Sequence, residues 1–187
     1  MPRKIAVAAV AALALGVPAA AGAHVTLQPN AAAAGAFTVL NVRVPTERDN
    51  ASTVKVAVQL PHGFVSVSYE PTPGWTVAVT KAKLAKPVQS DDGPIDEEVR
   101  QITFTGHGAE GRIGPGEFMD FPLSVPIPGK AGDKLTFKAL QTYSNGEVVR
   151  WIGAPDSDTP APIVNVTSAS AGCRRRRGRR PAPARRR

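Results

Sequence analysis

Leu140-Gln141-Thr142-Tyr143-Ser144-Asn145-Gly146-Glu147-Val148-Val149-Arg150-Trp151-Ile152 reads as two extended runs hinged on Asn145-Gly146. β-Branched and aromatic residues suit a pleated ribbon, and an Asn-Gly pair tolerates the positive φ that a tight turn demands. The stretch predicts a β-hairpin closed by a type I′ turn, with Val149 and Trp151 on one face and Arg150 on the other.

The same alternation spreads outward from this hairpin. It recurs in Val54-Val56-Val58-Leu60, Phe64-Val65-Val67-Tyr69, Trp75-Val77-Val79, Ile102-Phe104, Phe118-Phe121-Leu123-Val125 and Leu135-Phe137-Ala139. Turn chemistry separates the runs: Pro61-His62-Gly63, Pro73-Gly74, Gly114-Pro115-Gly116 and Pro128-Gly129. Helical periodicity is weak throughout, so no helices cover a parallel sheet. The expectation is an antiparallel β-sandwich of about eight to ten strands. Ala85 to Glu98, polar and carrying Asp91-Asp92-Gly93-Pro94, reads as a long exposed loop that lacks the Gly and Glu spacing of a calcium loop. Trp75, opening a strand, reads as core. Pro155, Pro160 and Pro162 mark a strand end and a linker.

The chain has 187 residues, with 23 Lys+Arg against 15 Asp+Glu, a formal charge of +8. Location matters more than the sum. Residues 174–187 hold nine arginines and no acid, and residues 1–23 hold Arg3 and Lys4 and no acid. The body between them keeps 12 basic residues against all 15 acids, a balance of −3, so nucleic acid is not expected to bind the folded part. Residues 168–187 read as a disordered Arg-rich tail suited to anionic surfaces, though a shifted frame in a GC-rich gene gives the same composition.

Residues 1–23 read as a signal peptide: basic Arg3-Lys4, an apolar stretch Ile5 to Val17, Pro18, and the small-x-small Ala21-Gly22-Ala23. The stretch falls short of the about 20 residues that span a bilayer, and no later run comes near it. The expected product is secreted or lies in the extracytoplasmic envelope, without a C-terminal membrane anchor. Residues 24–167 are the expected folded domain.

Cleavage after Ala23 makes His24 the first residue. Its free α-amine and imidazole Nδ1 can then close a chelate ring on one metal ion. Both nitrogens lose their protons at little cost near neutral pH, with ordinary pKa values of about 8 and 6.5. Nitrogen-rich sites with few ligands favour Cu(II), which also tops the divalent affinity series. A histidine after a signal sequence can equally be incidental. The single Cys rules out a disulfide scaffold and any Cys-rich zinc or iron–sulfur site, and there is no Gly-x-Ser-x-Gly nucleophile motif.

Five segments, in order, resemble the YcnI-like family of bacterial envelope proteins. They are His24-Val25-Thr26-Leu27-Gln28-Pro29; Val42-Arg43-Val44-Pro45-Thr46-Glu47 with Thr53-Val54-Lys55-Val56; Pro73-Gly74-Trp75; Ile113-Gly114-Pro115-Gly116-Glu117; and Phe137 through Ile152. The resemblance implies an all-β domain of immunoglobulin- or cupredoxin-like type that binds Cu(II) and works beside membrane copper-transport proteins. The family's monohistidine brace carries over to His24, its tryptophan to Trp151 and its carboxylate to Glu47. Each has a plainer reading: Glu47 as a solvated charge beside Arg48, Trp151 as a packing anchor of the hairpin. His62 and His107 sit in Pro-His-Gly and Gly-His-Gly turns and match no family position. A copper oxygenase needs a second histidine ligand that only these could supply, so a non-enzymatic copper chaperone or sink is the expected function. A metal-free module binding the cell wall or a protein is the alternative.

Overall fold

The structure, a computed structural model, describes residues 24–90 and 93–169. The expected signal peptide and nearly all of the Arg-rich tail lie outside the described residues. Among the described residues twelve strands follow in chain order, without a helix. They are β1 (Thr26–Gln28), β2 (Ala31–Ala33), β3 (Phe37–Pro45), β4 (Thr53–Gln59), β5 (Ser68–Tyr69) and β6 (Trp75–Ser90). After them come β7 (Gly93–Gly106), β8 (Phe118–Pro126), β9 (Lys134–Thr136), β10 (Lys138–Tyr143), β11 (Val148–Trp151) and β12 (Ile163–Thr167).

One sheet runs β1-β3-β8-β5 and the other β11-β10-β4-β7-β6, with a small third sheet β2-β12-β9. All ladders are antiparallel except β2–β12. Alternation in sequence becomes alternation in burial because each main sheet has one wet and one dry face. In β3, Leu40, Val42 and Val44 turn inward and lie opposite Leu123, Phe121 and Met119 of β8. Aromatic contacts join the two sheets: the Phe121 ring lies 4.4 Å from Phe104 and 5.0 Å from Trp75. Trp75 is therefore core, as its sequence context suggests.

Three local expectations need correction. Within the expected Ala85–Glu98 loop, Ala85–Ser90 and Gly93–Glu98 are strand instead: they form the outer part of a long β6–β7 hairpin, with Val88 opposite Ile95 and Lys83 opposite Glu97. Both faces of that arm are largely exposed, so no apolar alternation marks it. The run from Phe64 to Tyr69 forms a strand only at Ser68–Tyr69; Phe64 is fully buried without joining a ladder. The β10–β11 hairpin exists but not with a type I′ turn. Thr142, not Tyr143, lies opposite Val148, one residue off the pairing a two-residue turn at Asn145-Gly146 would give. Asn145 keeps a negative φ while only Gly146 is left-handed, at 89°. The Gly146 N–H donates to the Tyr143 carbonyl and the Tyr143 N–H to that of Glu147. The result is a three-residue loop in which glycine takes the one left-handed position.

Candidate metal centre

Strand β11 ends on Trp151, whose indole is fully buried, while Arg150 on the opposite face is exposed. The face assignment made from sequence therefore holds. The Trp151 Nε1–H donates to Gln141 Oε1 at 2.9 Å. Gln141, fully buried on the neighbouring β10, uses its amide nitrogen to reach the Pro45 carbonyl at 2.8 Å and Thr53 Oγ1 at 2.7 Å. Buried polar groups require such partners, and here one amide ties β11 to the end of β3 and the start of β4.

His24 lies two residues before the first residue of β1, the edge strand of the first sheet. Val25, just before that strand, and Leu27 within it anchor the segment in the core, each 2% exposed. The half-buried His24 ring rests against Trp151, with ring centroids 5.4 Å apart and planes tilted by 53°. Thr26 lies opposite Arg43 in the β1–β3 ladder. Continued two residues, that register sets position 24 across from Pro45, two residues short of Glu47. A cleft of about 200 Å³ opens beside His24, walled by β1 on one side and Pro160–Ile163 on the other.

Glu47 lies half-buried beyond the end of β3. Its N–H donates to the Tyr143 hydroxyl at 3.4 Å, and burial holds that phenol above its ordinary pKa. Arg48 next to it grips Glu147 with two nitrogens, at 2.6 and 3.0 Å, and covers the Tyr143 ring. That bidentate bond holds the Glu147 carboxyl below its usual range. Glu117 accepts the Gly114 N–H at 2.6 Å within its own turn. Glu47, by contrast, has no side-chain hydrogen bond or ion pair among the described residues. Of these three acids in family-like segments, it is the one left available near the end of β3.

The structure thus puts His24 and Trp151 in direct contact and Glu47 a short way along the adjoining strand end. Among the described residues, no three His, Cys, Asp or Glu side chains gather closely enough to hold an ion. A metal at His24 would have to draw on the main-chain amine too. With a free amine at His24 the donors would be two nitrogens of one histidine and a carboxylate, a set that fits a borderline divalent ion such as copper.

The other histidines are exposed, as expected of turn residues, but His62 is not without a partner. Its Nδ1 lies 2.6 Å from Oε1 of Glu98, which is only 3% exposed and also accepts the Gly63 N–H at 2.7 Å. His107 Nε2 lies 2.9 Å from Thr76 Oγ1. Sequence reading missed both Glu98 and Gln141. For Gln141 a signal existed: an amide between Ala139 and Tyr143 sits on the inward face of a strand, where it must find partners.

Comparison with known proteins adds the following. Residues 24–166 match the model of a family described as a domain of unknown function, DUF1775. The chain is 34% identical over 149 residues to the copper-binding protein CutI of Bacillus subtilis, a match covering 80% of the chain but 65% of that relative's length. A crystal structure of an uncharacterized Nocardia farcinica protein with an immunoglobulin-like fold superposes with a TM-score of 0.62 at 32% identity, over 78% of the chain and 99% of that protein.

Proposed function

The chain belongs to the DUF1775 family, the YcnI-like family its segments resemble, and from that membership we propose that it is an exported protein that binds one copper ion at His24. The observation that carries the reading is the packing of the first family-matched histidine on the buried indole of Trp151. A 34% identical relative named as a copper-binding protein supports the choice of metal.

On this reading, cleavage after Ala23 creates the site. The amine and Nδ1 of His24 chelate Cu(II), and Glu47 supplies an oxygen donor whose charge offsets that of the ion. Trp151 covers one side and limits access of water and other ligands. Copper is cargo, carried or sequestered outside the cytoplasmic membrane and exchanged with a membrane copper-transport protein. The protein is not an enzyme.

The test compares protein beginning at His24 with protein carrying one extra glycine before it. Titrated with Cu(II) under electron paramagnetic resonance, the first should bind one ion. The second should bind at least about tenfold more weakly, or about 1.4 kcal/mol, because its amine has become an amide. Glu47→Gln in the first protein should change the spectrum and weaken binding. Equal curves for the two N-termini would sink the reading; a silent Glu47→Gln would remove only the carboxylate assignment.

A further inference from the structure

The protons around Gln141 can be placed without ambiguity. A carbonyl only accepts and an indole N–H only donates. With Pro45 O on one side of the amide and Trp151 Nε1 on the other, Nε2 must face Pro45 and Oε1 must face the indole. The second amide hydrogen goes to Thr53 Oγ1. The Thr46 hydroxyl donates to the Ile113 carbonyl at 2.8 Å, so the 2.9 Å contact between Thr53 and Thr46 has Thr53 as its donor. The chain runs in one direction, from Trp151 through Gln141, Thr53 and Thr46 to Ile113. Gln141, Thr53 and Trp151 have no exposed surface, and Thr46 has 6%.

From this arrangement we infer that Gln141 is a positioning residue for the metal at His24. The inference rests on the copper reading above and adds to it how the two sides of the site are held in register. His24 leans on the Trp151 indole, while Glu47 extends from the strand end at Pro45. These two pieces come from different sheets, and Gln141 is the side chain bonded to both. It fixes the height of the indole on one side and the Pro45 carbonyl on the other. Outer partners of this kind orient metal-proximal groups, and their loss costs about 10–100-fold in metal affinity.

The test uses full-length processed protein beginning at His24. Gln141→Met keeps the length and apolar volume and removes all three hydrogen bonds; Gln141→Leu is a second variant with the same loss. Thr46→Val is the control, since it cuts the chain beyond Gln141 and leaves the links to Trp151 and Pro45 intact. Each is checked for native near-ultraviolet circular dichroism and then titrated with Cu(II), followed by tryptophan fluorescence and paramagnetic resonance. The folded Gln141 variants should bind Cu(II) about 10–100-fold more weakly, with an altered spectrum and reduced quenching of Trp151. Thr46→Val should lower the melting temperature and leave affinity and spectrum unchanged. Folded Gln141 variants that are less stable but keep wild-type affinity, spectrum and quenching would overturn the inference. If the wild-type protein itself does not bind copper, the copper reading has failed, and this inference fails with it for that separate reason.

Discussion

Glu47 and Glu98 are the same side chain in opposite surroundings. Glu47 leaves its carboxylate without a partner among the described residues, whereas Glu98 is buried and accepts bonds from His62 and the Gly63 N–H, with Arg100 Nη1 3.7 Å away. Burial alone would push the Glu98 pKa up, but the Gly63 N–H, His62 and Arg100 together outweigh it and hold the carboxyl below its ordinary value. A carboxyl lowered on folding binds its proton more tightly in the unfolded chain, so stability rises with pH across that interval. The contribution is complete above the ordinary Glu value of about 4.3 and is lost as pH falls through the lower folded value. Glu98→Gln should therefore cost about 1–3 kcal/mol near neutral pH, and the gap from wild type should narrow in acid. Urea midpoints across that range would show it; a gap independent of pH would contradict the assignment. Sequence could not show this pair, because the partners lie 36 residues apart and the histidine side chain is 83% exposed. His24, Glu47 and Trp151 were nameable from the N-terminal processing signal and the family-like segments. Gln141, which joins Trp151 to Pro45, was hidden in a strand that reads by its apolar neighbours.

Strands were legible where one face is dry. The β4, β8 and β10–β11 runs alternate because burial alternates, whereas the outer β6–β7 arm is wet on both faces and carries no such pattern. Turn sequences told where strands reverse but not which turn closes them, since Asn145-Gly146 serves a three-residue loop as readily as a two-residue one. Two glycines separate the reasons for having glycine at all. At Gly146, φ is 89° and an added Cβ would meet nothing within 4 Å, so only backbone conformation opposes a side chain. Gly146→Ala should cost about 1–2 kcal/mol. At Gly111 an added Cβ would collide with the His107 nitrogen and the Gly74 carbonyl oxygen, which are themselves hydrogen-bonded at 2.8 Å. Gly111→Ala must part that backbone pair and should cost about 3 kcal/mol or more. Chemical denaturation gives both values; the reverse order would mean the loop at Gly74 yields more easily than its hydrogen bond suggests.

At the scale of the molecule, the charges and the candidate site are governed by the ends of the folded body. The nine tail arginines account for the basic character of a chain whose body is mildly acidic. His24 lies at the other boundary, where family match, edge strand and expected cleavage point coincide. A metal held by His24, Glu47 and the surroundings of Trp151 ties the start of β1 to the end of β3 and to β11. Those elements come together only on folding, so bound copper should stabilise the native state by mass action. Free copper at about a hundred times its dissociation constant contributes about 2.7 kcal/mol, which for a domain of this size raises the melting temperature by about 5–10 °C. The shift should appear in protein beginning at His24, vanish on adding a chelator, and be absent from His24→Ala and from protein with an N-terminal extension. Copper that also binds the unfolded chain would shrink all the shifts together without changing their order. A shift of equal size in the extended protein would place the stabilising ion elsewhere and detach copper binding from the N-terminus.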